Sequence, residues 1–158
     1  MANTQSMCTS FMGELMTATH NFGTAPTRGT SATDTFKAAL YLTSATVNAS
    51  TTAYSASNEV SGTGYSAGGV TVTAATPPTA TNSSATAGVA FFTPSASIVY
   101  TTVTLSTAFD AVLIYNSTQS NKAVSVHTFG SQTITAGTFT LTMPADTTST
   151  ALLRLATT

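Results

Sequence analysis

The sequence predicts an all-β protein: a single antiparallel β-sandwich or barrel, jelly-roll or immunoglobulin-like, of about eight short strands with long loops and a short N-terminal helix. Three observations carry this. Apolar residues recur at every second position in stretches such as "FKAALYL", "VTV" and "FTLTM", the spelling of a half-buried strand. Clusters of Gly, Pro, Asn and Ser separate these stretches. Eight Phe and five Tyr on a Ser, Thr and Ala background give the strands a core to build. Residues 1–158 read as one unit with an N-terminal arm over residues 1–22, and no fixed-period repeat divides them.

In the arm, Ser10 is placed to cap a short helix through "FMGELMTATHNF", with Phe11, Leu15 and Phe22 on one face. Gly13 weakens that helix and leaves a strand as the alternative, and any helix is expected to be an appendage. Residues 21–33 read as loop. Phe36, Ala38, Leu40 and Leu42 then make one core face of a strand, opposite Lys37, Ala39 and Tyr41. The stretch Thr43 to Gly69 is too long for a simple connection and reads as an excursion that carries contacts. Val70 to Ala74 is a second strand, closed by Pro77 and Pro78, and Gly88 leads into "VAFFT". Ile98–Leu105 and Phe109–Asn116 are separate strands, the second apolar on both faces like a central strand covered on both sides. The turn "NSTQSNK" makes a hairpin of that strand with Ala123–Phe129. Thr138–Met143 alternates without exception, and Ala151–Leu155 closes the sheet.

Charged residues make up 6% of the chain, against roughly 25% in an average soluble domain, and the net charge is −1. A chain with no basic patch is not expected to bind nucleic acid. Its longest strongly apolar run, Ala111 to Tyr115, is too short to cross a membrane as a helix, so no membrane is expected either. "MANTQSMCTSFM" does not spell a secretion signal. The single Cys8 permits neither an internal disulfide nor a cysteine zinc site. With so little self-repulsion, such a surface suits life inside an assembly.

The residues offer little chemistry. Gly62-Thr-Gly64-Tyr-Ser-Ala67 matches the GxGxxG/A pattern of a dinucleotide loop, but no apolar strand precedes it and a strand rather than a helix follows, so the glycines read as loop. Asp110, Ser125 and His127 can be written as a Ser/His/Asp set. However, Ser125 and His127 sit two apart on one strand face without a nucleophile elbow. His20 is expected at a helix end, where partial positive charge is favourable. Glu59 and Asp110 are the carboxylate pair best flanked by loop and aromatic residues, without the arrangement of a glycosidase. The reading is therefore of no enzyme, no cofactor and no metal. The exposed threonine rows reflect strand preference rather than a ligand array.

Three pieces, "DTFKAALYLTSATVNASTTAYSASNEVSGTGYSAGGVTVT", "LSTAFDAVLIYNSTQSNKAVSVHTFG" and "SQTITAGTFTLTMP", together resemble small β-rich virion proteins of tailed bacteriophages, over residues 6–156. The chain departs from that pattern in lacking Trp, with Phe91-Phe92 at an aromatic strand position, and in carrying Gly13. The resemblance implies a capsid decoration (cement) protein on the virion surface, made in the host cytoplasm, with the major capsid protein as partner and a homotrimer as the expected assembly. A tail or head fibre, receptor-binding or head–tail connector component is the alternative, and a wall-degrading enzyme a more distant one. Such a protein binds many identical sites through neutral surfaces. The expected interface is Phe11, Tyr54, Glu59, Val60 and Tyr65, with Gly62 and Gly64 letting the backbone approach a neighbouring subunit, because the arm and the Thr43–Gly69 loop have little obvious core to join.

Overall fold

A computed structural model describes residues 2–16, 18–22, 34–73, 78–81 and 88–156. The fold is all-β and sandwich-like, with one short helix and two antiparallel sheets that do not close into a barrel among the described residues. Strand β1 (Ser6–Met7) precedes helix α1 (Thr9–Met16), followed by β2 (Phe36–Leu42) and β3 (Val70–Thr71). Next come β4 (Thr79–Thr81), β5 (Val89–Phe92), β6 (Ile98–Asn116), β7 (Lys122–Leu141) and β8 (Leu153–Ala156). The larger sheet runs β1-β7-β6-β2-β3 and the smaller β4-β5-β8. Most of the expected loop at 21–33 and most of the break at 77–88 lie outside the described residues, as does Ala74.

The hairpin joining β6 to β7 is present, with Asn116 opposite Lys122, but its arms are far longer than expected. Ile98–Leu105 and Phe109–Asn116 are one strand, and so are Ala123–Phe129 and Thr138–Leu141. Polar residues such as Ser106 and Thr107 suggest a turn, whereas the chain absorbs them as register shifts, with Thr102 and Ala136 at positive φ. A bulge re-phases a strand without ending it. Ile98 and Tyr100 thereby join Val103, Leu105 and Phe109 in the core.

Both faces of the sheet are covered around its centre. Every residue from Ala111 to Asn116 is buried, as the two-sided apolar pattern predicts. β2 departs from expectation, because Ala39 and Tyr41 are as buried as Ala38 and Leu40. On one of its faces Phe36 stacks on Phe22 at 4.3 Å, and Phe22 in turn tilts against Phe92 of β5 at 5.1 Å. The other meets the stretch 43–69.

Helix α1 forms despite Gly13, and it is no appendage: Phe11 is 2% exposed and meets His20 and Phe22 edge-on. Ser10 does not cap it. The helix starts at Thr9, two residues before the first that Ser10 would cap, with Phe11 N–H donating to the Cys8 carbonyl, and the Ser10 hydroxyl is buried without a hydrogen-bond partner.

Candidate functional site

The expected interface residues converge, but on the chain itself. The stretch 43–69 lies along the larger sheet as a partial strand for three of its members. Tyr54 N–H donates to Asn121 O and Ala123 N–H to Thr52 O at the start of β7. Val60 N–H donates to Leu40 O, and Leu42 N–H to Asn58 O, along β2. Thr104 N–H donates to Thr63 O, which carries the stretch along β6 where β2 has ended.

At its centre is Glu59, 9% exposed. Its carboxylate accepts the Tyr54 hydroxyl at 2.6 Å, the Tyr65 hydroxyl at 2.7 Å and the Gly68 N–H at 2.7 Å. The Tyr65 oxygen also accepts from Leu40 N–H at 3.0 Å. The chain's other tyrosines complete the cluster. Tyr115 donates to Gly68 O and stacks on Tyr54 at 4.7 Å, Tyr100 donates to Ala38 O beneath Tyr65, and Tyr41 donates to Ser55 O. Three of the tyrosines, Tyr41, Tyr65 and Tyr115, thus bond this stretch to the sheet, and Tyr54 and Tyr100 join it by stacking.

Burial pushes these phenols up, Tyr41 to about 12. Hydrogen bonds to Glu59 add to the effect at Tyr54 and Tyr65, and the charge of Glu59 adds to it at Tyr100 and Tyr115. The hydroxyls stay protonated at neutral pH and act as donors to the buried carboxylate, which needs such partners to be tolerated there.

This corrects the reading of the interface residues as parts without a core. Phe11 and Val60 are buried in the chain's own core, and Glu59 is saturated by internal donors. The close approach made possible by Gly62 and Gly64 is to β6 of the same chain: a Cβ would lie 2.0 Å from Thr104 O at Gly62 and 2.3 Å from Thr102 O at Gly64. Tyr54 and Tyr65 are half-buried and Gly62 and Gly64 exposed, and around them the outer surface is small and uncharged, from Ser55 to Asn58 and from Ser61 to Gly64. The GxGxxG/A match carries no helix, in keeping with its reading as loop.

Ser125 and His127 do meet, with Oγ 2.9 Å from Nε2. Burial lowers the His127 pKa to about 4, so the ring is neutral at pH 7. Asp110 does not complete a triad, because its carboxylate is bonded by the Asn3 side chain. Ser125 is 1% exposed and lies beside β1, where Met7 is its register partner. Among the described residues no group of His, Cys, Asp and Glu could hold a metal ion. No described helix is long and apolar enough to cross a membrane.

A second polar cluster was not legible in the sequence. Asn116 Oδ1 accepts the N–H groups of Thr118 and Gln119, which turns its amide nitrogen to Asp34 Oδ2 at 2.7 Å and His20 Nδ1 at 3.1 Å. His20 Nδ1 is then an acceptor, and Nε2–H donates to Glu14 at 2.7 Å. Glu14 also receives Lys122 Nζ. His20 is therefore a buried link between the helix and the β6–β7 turn.

Burial pushes the Glu14 carboxyl up, but the hydrogen bonds from Lys122 and His20 and the charge of Lys122 outweigh it and hold the pKa below its ordinary 4.5. A depressed folded value stabilises the fold above the unfolded value and loses that contribution as pH falls through the folded one. Stability is thus expected to decline with acid below pH 4.5, less steeply in Glu14→Gln. Denaturant midpoints of both proteins across that range measure the difference; identical pH profiles would remove Glu14 as the cause.

Comparison with known families, with curated proteins and with solved structures finds no match. Fold and site define an all-β, sandwich-like protein whose longest connection is gathered on itself by a buried carboxylate and fastened to its own sheet by backbone pairing and tyrosine hydroxyls.

Proposed function

We propose that the chain is a structural protein of a bacteriophage virion, a decoration protein that binds the outer shell through protein–protein contacts. The observation that carries this reading is the near absence of surface charge. Asp34 and Glu59 are buried, Glu14, Lys37, Asp110 and Lys122 are half-buried, and only Asp146 and Arg154 are exposed among the described charged residues. A neutral surface of hydroxyls and methyls favours association over free solution life, and charged residues are depleted from the cores of protein interfaces. The rigid fastening of 43–69 supports the same role, since a preordered surface loses little entropy on docking. The sequence resemblance to β-rich virion proteins supplies the setting.

Quantitative mass spectrometry of purified particles tests it, with the major shell protein as internal reference. A copy number comparable to that of the shell subunits is the expected result. A handful of copies would move the protein to a fibre, tail or connector and overturn the decoration role, and absence from the particle would overturn the virion setting.

A further inference from the structure

Between the larger sheet and the residues that lead into β8 lies a cavity of about 280 Å³, walled by residues 5–7, by 125–127 of β7 and by 151–154. No carboxylate lines it, whereas Arg154 does. The guanidinium gives its Nε–H to Thr148 O at 2.6 Å, which fixes the side chain. No described residue accepts from its Nη groups or pairs with its charge. Ser125 and His127 border the same space. Ser125 is 1% exposed, and its hydroxyl has only His127 Nε2, at 2.9 Å, to donate to. Nε2 is therefore the acceptor, and the neutral ring carries its proton on Nδ1. No described residue takes that proton. An imidazole N–H and a fork of guanidinium N–H groups thus line one cavity without an acceptor of the chain's own, while Gln5 and Ser6 can serve either way. Met7, Leu152 and Leu153 supply apolar wall beside them.

We propose that this cavity binds a small organic carboxylate with an apolar body. Free donors select an acceptor, and the lone positive charge of Arg154 selects an anion. The planar fork matches the two oxygens of a carboxylate, and one guanidinium balances one negative charge, not the larger charge of a phosphate. The apolar wall gives the rest of such a ligand a place that an inorganic anion would leave unfilled. Size agrees, since a cavity of about 150 Å³ holds benzene, which leaves room here for a ring with its carboxylate. The buried Ser125 hydroxyl acts through His127, by fixing the tautomer that presents Nδ1–H. The inference is independent of the virion reading and holds or fails for the purified protein alone.

Titration of the full chain with benzoate, followed by backbone amide chemical shifts, tests it. Saturable shifts confined to 5–7, 125–127 and 151–154 are expected. Benzamide, which has the same shape without the charge, should bind the wild type about tenfold or more weakly, a comparison that needs no variant. Inorganic phosphate at equal concentration should not displace benzoate. Arg154 is exposed, and Arg154→Gln should also weaken benzoate about tenfold or more. Lys37→Gln removes the same charge beside Gly68, away from the cavity, and should leave benzoate binding unchanged. Absence of saturable binding, shifts centred elsewhere, benzamide as tight as benzoate, displacement by phosphate, or an equal loss in Arg154→Gln and Lys37→Gln would each overturn the proposal.

Discussion

Glu59→Ala is expected to lower the unfolding free energy by about 3–5 kcal/mol, since it strips the acceptor from three donors at about 1–3 kcal/mol each, part of which water recovers. Domains of ordinary size are stable by only about 5–15 kcal/mol, so much of the total is at stake. The loss has three parts. Tyr54, Tyr65 and Gly68 lose the acceptor that each bonds at 2.6–2.7 Å. The unmet donors are partly or wholly buried and recover few hydrogen bonds from water. The stretch 43–69 then keeps its backbone bonds and the hydroxyl bonds of Tyr41, Tyr65 and Tyr115 to the sheet, but loses the internal tie that gathers Tyr54, Tyr65 and Gly68. Glu59→Gln, which keeps one oxygen acceptor, should cost less than the alanine variant. Urea unfolding measures both, and a loss under about 1 kcal/mol for Glu59→Ala would show that the tyrosine shell is ornamental to stability. For the same reason Tyr65→Ala is not a clean probe of assembly: it removes a donor to Glu59 and an acceptor for Leu40 in the isolated chain.

The two-sided cover of 111–116 could be read from the sequence because a central strand spells its burial in unbroken apolar residues. The role of 43–69 could not. Its side chains are mostly Ala, Ser, Thr, Asn and Gly, and what binds it to the sheet is backbone pairing and a few tyrosine hydroxyls, which leave no period in the sequence. The signal that existed was an acidic residue between two tyrosines in an otherwise uncharged stretch, Tyr54, Glu59 and Tyr65. A lone carboxylate among tyrosines suggests an internal acceptor at least as strongly as a contact surface. The length of β6 and β7 was hidden for a different reason. Alternation is broken at Thr101-Thr102 and at Ser106-Thr107, and periodicity alone does not tell a bulge from a turn. His20 shows the limit of local reasoning, since its partners Glu14 and Asn116 come from the helix and from the far end of β6.

Gly64→Ala separates the two accounts of the glycine-rich stretch. If the glycines serve approach to a neighbouring subunit, alanine should leave the isolated chain untouched and weaken only assembly. The geometry predicts the opposite. Gly64 has φ +78°, and its Cβ would lie 2.3 Å from the carbonyl oxygen of Thr102 in β6, inside any contact a carbon can hold. The left-handed backbone costs alanine about 1–2 kcal/mol. Displacement of the stretch from β6 adds a packing penalty of about 1–3 kcal/mol, so an overall loss of about 2–5 kcal/mol is expected in the isolated chain. Gly64→Asn divides these contributions, because asparagine tolerates positive φ while placing a Cβ at the same point. If the contact with Thr102 dominates, asparagine recovers little; if conformation dominates, it recovers most of the loss. Gly130→Ala is the control, with no atom within 4 Å of the added carbon, and should change stability by less than about 0.5 kcal/mol. A Gly64→Ala chain as stable as this control would mean that the stretch has room to move off β6, and its value would then lie with a neighbour after all.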